Sequence, residues 1–111
     1  MKIYNELESL GFFEWLKEKG FGSGFTPIIL DAQPIDSVER SGYNAIAFRW
    51  FREKYKIFSC IMTEYSYGGN ISTYHINGLH QSNISKGNFK TYEEAELECL
   101  IKLISIVKSN E

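Results

Sequence analysis

The chain is poor in the residues that build disulfide frameworks and metal sites: its 111 residues include two cysteines and two histidines. Cys60 and Cys99 each lie in an apolar run, where cysteine behaves as a small hydrophobic residue, so we expect both to be reduced and buried. These cysteines and the histidines, His75 and His80, lack the local CxxC or HxxxH spacing of structural zinc sites. The sequence therefore predicts no disulfide, no metal ion and no other cofactor.

Apolar runs of membrane-spanning length are also absent. The first residues, "MKIYNELESLGFFEW", are amphipathic and acidic, with no continuous apolar stretch of the kind found in signal peptides. We therefore expect a cytoplasmic protein without a membrane partner. On that interpretation, the two Asn-Ile-Ser glycosylation motifs at Asn70 and Asn83 have no meaning.

A catalytic signature is missing as well. Nucleophilic catalysis requires Ser, Cys or Thr beside a general base, and His75 and His80 are the natural bases. A Cys60–His75 pair across a hairpin is geometrically possible, but a buried cysteine and a surface histidine is the commoner arrangement. The stretch "GFGSGF" lacks the Lys-Ser/Thr pair of a phosphate-binding loop. We therefore predict that the protein is not an enzyme.

The charge that is present is unevenly distributed along the chain. Residues 49–90 contain six basic and two acidic side chains, whereas residues 1–48 contain four and seven and residues 91–111 contain two and five. Either these segments neutralise one another in the fold, or a basic face meets an acidic or phosphate-bearing partner. The cations of the stretch "RWFREKYK" are the first candidate partner-binding residues: Arg49, Arg52, Lys54 and Lys56.

The composition is that of one folded domain over residues 1–111, with 43% hydrophobic and 15% aromatic residues. Apolar periodicity predicts an α+β fold: an N-terminal helix over 1–20, an irregular loop over 21–42 and a helix–hairpin–helix core over 43–108. Both prolines lie in 21–42 and exclude one long helix there. Within that loop, "PIIL" is a candidate for an extended segment or a short third strand at the sheet edge.

Two periods compete in "SGYNAIAFRWFREKY". A strand through "AIAFRWF" would make both of its faces apolar, whereas a helix gathers the apolar residues into one stripe. We therefore predict a helix over 43–54, with Trp50 and Phe51 turned inward and Arg49 and Arg52 outside.

A β-hairpin is predicted after this helix, with strands at roughly 56–65 and 70–77 around the turn signal "SYGGN". The following stretch, "GLHQSNISKGN", is polar and contains two glycines, so a loop is predicted there. The predicted core includes Trp50, Ile61, Tyr74, Leu100 and Leu103.

The closing helix is predicted over 91–108. Thr91 and Glu94 form a capping box, and acidic residues occupy the first turns, where the helix dipole favours them. The apolar arc of this amphipathic helix exceeds half of its circumference. The outlying part is covered either by the N-terminal helix or by a partner, which includes a second copy of the chain. The residues concerned are Leu97, Ile101 and Ile104.

Three short stretches of the predicted core, taken together, carry a recognisable residue pattern. Its residues are Trp50, Phe51, Arg52, Glu53 and Lys54 at a helix end, Tyr74 in a strand, and Thr91, Tyr92, Glu93, Glu94 and Ala95 at the start of the closing helix. The pattern covers about residues 43–108 and resembles small phage and prophage proteins, especially of Bacteroidota, a group without an established activity. The resemblance implies a mobile genetic element, in which short accessory proteins often block host defence, anti-CRISPR proteins among them.

These observations predict a non-catalytic, protein-binding inhibitor from a phage or mobile element. Its expected partner is a host defence protein that targets nucleic acids, such as a CRISPR effector nuclease. Either the basic stretch faces an acidic groove, or "EEAELE" mimics nucleic-acid charge in a basic groove. The alternative is a small RNA- or DNA-binding protein that uses the basic-aromatic segment 49–56, although acids at the start of the last helix would repel phosphate.

Overall fold

The computed structural model describes residues 2–21, 24–66, 68–78 and 81–110. Among these residues there are five helices: α1 (Ile3–Ser9), α2 (Phe12–Glu18), α3 (Pro27–Ala32), α4 (Val38–Tyr55) and α5 (Tyr92–Ser109). Three strands, β1 (Ile57–Ser66), β2 (Gly69–Gly78) and β3 (Gln81–Phe89), form one antiparallel sheet in the order β1-β2-β3. The predicted α+β fold is confirmed.

The N-terminal helix is divided into two short helices. Gly11 adopts a left-handed backbone with φ of 98°, which ends α1, and α2 begins again at Phe12. Gly20, with φ of 81°, ends α2. The amide of Phe21 donates to the carbonyl of Leu16 at 3.0 Å, as in a Schellman motif.

The prediction of an irregular loop or edge strand over 21–42 was wrong, because the segment contains α3 and the first turn of α4. The hydroxyl of Thr26 accepts a hydrogen bond from the amide three residues later at 3.3 Å. Pro27 occupies the first helical position, where the missing N–H would have no partner in any case. Ser37 caps α4 through the amide of Arg40 at 3.2 Å. The first proline therefore starts a helix instead of preventing one.

The central helix and the hairpin are confirmed. α4 begins at Val38, before the predicted start, and its Trp50 and Phe51 are fully buried. Lys56 adopts a left-handed backbone with φ of 57° and ends the helix, so that β1 starts at the next residue. β1 and β2 pair without interruption, from Ile57 opposite Gly78 to Ser66 opposite Gly69.

The stretch predicted as a polar loop forms most of the edge strand β3, which corrects that prediction. β3 pairs with β2 through two register shifts, and each places one extra β3 residue in the ladder. One of these bulges contains Gly87 and Asn88, the latter with φ of 68°. Bulges break the alternation of side chains that identifies a strand in a sequence. Residues 79 and 80 lie outside the described residues, so the predicted position of His80 in a loop is untested.

The bulge at Gly87 leaves no room for a side chain, since an added Cβ would lie 2.7 Å from Oγ1 of Thr73. We expect Gly87→Ala to lower the free energy of unfolding by about 1 kcal/mol. The loss should shrink in a Thr73→Ala background, which removes the colliding oxygen. Urea unfolding of the four proteins gives the coupling energy. Equal losses in both backgrounds would refute the proposed collision.

The helices lie on one side of the sheet. α5 contacts all three strands, α4 lies against β1 and α5, and α1 packs on α2, α3 and α5. Trp50, Tyr74, Leu100 and Leu103 are buried as predicted, whereas Ile61 is partly buried at the margin of the core.

A buried polar network joins α1 to both long helices. The hydroxyl of Tyr4 donates to Oδ1 of Asn44, and Nδ2 of Asn44 donates to Oε1 of Glu96 at 2.7 Å. The guanidinium of Arg40 lies 5.3 Å from the centre of the Tyr4 ring and donates to the carbonyl of Gln33 at 3.1 Å. Burial raises the pKa of the Glu96 carboxyl, against the opposing effect of the hydrogen bond from Asn44.

We expect Glu96→Gln to stabilise the protein by about 1 kcal/mol at pH 7 and to have little effect at pH 4. Because the folded-state pKa is raised, the contribution of the carboxyl is fully present below its unfolded pKa, near 4.5, and is lost as the pH rises through the folded-state pKa. Glutamine keeps an oxygen for Asn44 and carries no charge to desolvate. Urea unfolding of the wild type and the variant at pH 4 and pH 7 measures the expected differences in stability. A variant less stable than wild type at pH 7 would show that Arg40 stabilises a carboxylate here.

Candidate functional site

The face of the sheet opposite the helices is covered by none of the described elements. In β1, Ile57 is 7% exposed, whereas Phe58 and Met62, which point to the other side, are 46% and 51% exposed. In β2, Tyr74 is 4% exposed and Ile71 is 38% exposed. The alternation of the strands and their register define an open face, which consists of Phe58, Cys60, Met62, Glu64, Ile71, Thr73, His75, Asn77 and Ser85.

The register decides which side chains of the open face are neighbours. Met62 lies opposite Thr73, and Cys60 lies opposite His75. On its other side His75 lies opposite Ser85, with Nδ1 and Oγ 2.7 Å apart. The side chains of Cys60, His75 and Ser85 therefore form a row across all three strands, beside the exposed apolar side chains of β1.

The chemistry of the open face is that of a protein interface. It contains no lysine or arginine, and Glu64 is its one carboxylate. The centres of protein interfaces are depleted in charge and enriched in aromatic residues and methionine, whereas nucleic-acid sites require cations against phosphate. A group of exposed apolar side chains on one surface marks an interaction site more often than single exposed residues do.

The prediction that both cysteines are buried was wrong for Cys60, which is exposed on the open face. Cys99 is buried as predicted, and burial raises the pKa of its thiol to about 12. Both cysteines are free. The alternation of β1 puts Cys60 on the same side as Phe58 and Met62, but the sequence does not indicate which side the helices cover. The described residues contain no group of three or more His, Cys, Asp or Glu side chains that could hold a metal ion.

The four predicted basic residues all lie exposed at the C-terminal end of α4. They are Arg49, Arg52, Lys54 and Lys56. Nε of Arg49 donates to the Glu53 carboxylate at 2.7 Å, and this hydrogen bond lowers the pKa of that carboxyl. Nζ of Lys56 donates to the backbone carbonyl of Glu53 at 2.9 Å. Nζ of Lys54 lies 5.4 Å from the centre of the buried Trp50 ring. Three of the predicted cations thus have partners within the chain, and the tryptophan beside them is not available for stacking on bases.

The predicted patch on the closing helix is divided by the fold. Ile104 is 1% exposed and belongs to the core, so its assignment to a partner surface was wrong. Coverage from within the chain was the other possibility, and α1 does pack on α5. Leu97 and Ile101 are partly buried and pack against the core. Ile101 lines a shallow groove of about 390 Å³ between α5 and the sheet, together with Lys102 and Ile84.

Sequence reasoning missed the open face, although one signal was present. β1 is apolar on both faces: Ile57 and Ile61 alternate with Phe58 and Met62. In a chain with too few elements to cover both sides of a sheet, one of these two apolar rows has to remain exposed.

Comparison with known proteins identifies no relative. No protein-family model matches the chain, and neither a curated protein nor a solved structure matches it. Among the described residues, no helix combines the length and the hydropathy needed to cross a bilayer. The function therefore has to be inferred from the surfaces of this chain itself.

Proposed function

We propose that the protein is a non-catalytic protein-binding module that contacts its partner through the open face. The exposed apolar row carries the proposal: Phe58 is 46% exposed and Met62 is 51% exposed on a face without cations. Large apolar side chains of this kind supply most of the free energy of binding when an interface removes them from water. The polar groups beside them, such as His75, provide hydrogen bonds that fix the orientation of the partner.

The more specific form of the proposal is an inhibitor from a phage or mobile element, similar in role to anti-CRISPR proteins. Its partner would be a host defence protein that targets nucleic acids. The support is the resemblance of residues 43–108 to phage and prophage proteins, together with a surface suited to protein contact. Inhibition of this kind acts by covering a site on the partner or by holding it in one conformation, and neither requires a catalytic group.

Binding of RNA or DNA through segment 49–56 is the second candidate. It is favoured by the exposure of four cations at one end of α4. It is disfavoured by their contacts within the chain and by the burial of Trp50 and Phe51, since binding of single strands depends on stacking with aromatic rings. A gel shift with bulk RNA and DNA over a range of salt concentrations tests this candidate.

The experiment that tests the proposal is a pull-down from host lysate with three baits, followed by mass spectrometry. The baits are the wild type, an open-face variant (Phe58→Lys/Met62→Lys) and a basic-segment variant (Arg49→Glu/Arg52→Glu). We expect one protein to be retained by the wild type and by the basic-segment variant and to be lost with the open-face variant. Retention by the open-face variant, with loss in the basic-segment variant, would assign binding to α4 instead. Reversing the charges of Arg49 and Arg52 should slow association with the partner, mainly at low salt, because charges at the rim of an interface act chiefly on the association rate.

A further inference from the structure

The two edges of the sheet are protected to different degrees. β3 has two bulges and the lysine Lys86, and bulges and lysines are devices that prevent edge strands from pairing with other chains. β1 has neither a lysine nor a proline, and its ten residues pair with β2 without a register shift. No strand pairs with its other edge among the described residues. The outer edge of β1 is therefore open to pairing with a further strand through backbone hydrogen bonds.

We propose that this strand is β1 of a second copy of the chain, paired antiparallel about a two-fold axis. The pairing joins two sheets of three strands into one, with the two open faces on the same side. It goes beyond the proposed function, because it does not depend on any other partner.

The charges near β1 select the register. A two-fold axis at Cys60 places this residue opposite Cys60 of the second copy. Phe58 then lies opposite the second copy's Met62, so that apolar side chains meet on the open face. Glu64, the one charged residue of β1, lies opposite the second copy's Lys56, which directly precedes the strand. By symmetry each of these pairs occurs twice, so the strand is complementary to itself.

Given the proposed function, in which the open face binds a partner, the size of this face also favours a second copy. Strands of ten residues, at about 3.3 Å per residue and about 4.8 Å between strands, give one open face roughly 33 by 14 Å. That is roughly 450 Å², whereas a stable complex buries about 800 Å² on each partner. Joining two sheets about doubles the continuous face. Since pairing at the edge itself buries little area, we expect dimerisation in the micromolar range.

Cross-linking tests the register. Opposite residues of antiparallel strands have Cα atoms about 4.5–5.5 Å apart, which lies within the range that a disulfide spans. Mild oxidation of the wild type at about 100 µM, a concentration above the micromolar range expected for such an interface, should give a disulfide-linked dimer. Cys60→Ser should abolish the product and Cys99→Ser should not. Absence of a product, or an equal yield when the thiol is moved to position 58 in a Cys60→Ser background, would overturn the register.

Charge exchange tests the pairing in solution without a covalent bond. Glu64→Lys and Lys56→Glu each replace two attractions by two repulsions, so we expect each to raise the dimer dissociation constant by about tenfold. The double variant restores opposite charges and should return to within about threefold of the wild type. Sedimentation equilibrium gives these constants, and thermal unfolding shows that each variant is folded. A wild type that stays monomeric at millimolar concentration, or a double variant no better than the single ones, would refute the proposal.

Discussion

Trp50→Ala is expected to lower the free energy of unfolding by about 4 kcal/mol, a large part of the stability of a domain of this size. The indole is fully buried. Its ring centre lies 5.4 Å from that of Phe12 in α2, 5.0 Å from that of Phe51 and 5.5 Å from that of Tyr55. Alanine would leave a cavity between α2 and α4 that the surrounding rings cannot fill without moving.

Trp50→Phe is the matched control. Nε1 of Trp50 is buried without a hydrogen-bond partner, so phenylalanine removes an unsatisfied polar group as well as some apolar area. We expect the loss of stability to be about 1 kcal/mol, well below that of alanine. Urea unfolding followed by circular dichroism measures both variants. A loss below about 1 kcal/mol for Trp50→Ala would show that the ring cluster is not the centre of the core.

The two long helices could be predicted because the signals that form them are local. Thr91 accepts a hydrogen bond from the amide of Glu94 at 3.1 Å, as the capping box indicates. The apolar stripe of α4 likewise turns Trp50 and Phe51 inward. Caps and periodicity involve residues within a few positions of each other, so the sequence displays them directly.

The elements that could not be predicted depend on tertiary context. Pro27 fits a break as well as the first turn of a helix, and the cap at Thr26 distinguishes the two only once the chain is folded. β3 is polar and twice bulged, and its pairing with β2 makes it a strand. Tertiary contacts of this kind override local preference.

The distinction between local signals and tertiary context also applies to the candidate sites. Charges are visible in a sequence, so the cations of segment 49–56 could be named, but their contacts with Glu53 and Trp50 could not. Likewise Ile104 is apolar and lies at the margin of the predicted arc, and only its packing in the folded chain shows that it is buried. The open face depends on which side of β1 the helices cover, and no local signal determines that side.

The second large effect concerns binding. We expect Phe58→Lys/Met62→Lys to weaken partner binding at least 100-fold, because two apolar contacts are lost and two ammonium groups have to be desolvated. The free energy of unfolding should change by less than about 1 kcal/mol, since both side chains are already half exposed.

The chain offers a control of the same chemistry. Ile28 and Val38 are 81% and 84% exposed and lie on α3 and α4, away from the open face. Ile28→Lys/Val38→Lys therefore adds the same charge without changing the proposed interface. Titration of the isolated partner against the wild type and both variants gives the dissociation constants. Equal weakening by the two variants would show an effect of net charge and not of the open face.

The most direct measurement is the protection of one thiol. Cys60 is exposed on the open face, in β1 between Phe58 and Met62, and Cys99 is buried and serves as an internal reference. The alkylation rate of each thiol is followed by mass spectrometry with and without saturating partner, at a protein concentration of about 1 µM to limit pairing between copies. We expect the partner to slow modification of Cys60 by at least tenfold and to leave Cys99 unchanged. A bound partner that leaves the reactivity of Cys60 at its free value would contradict the assignment of the open face as the binding surface.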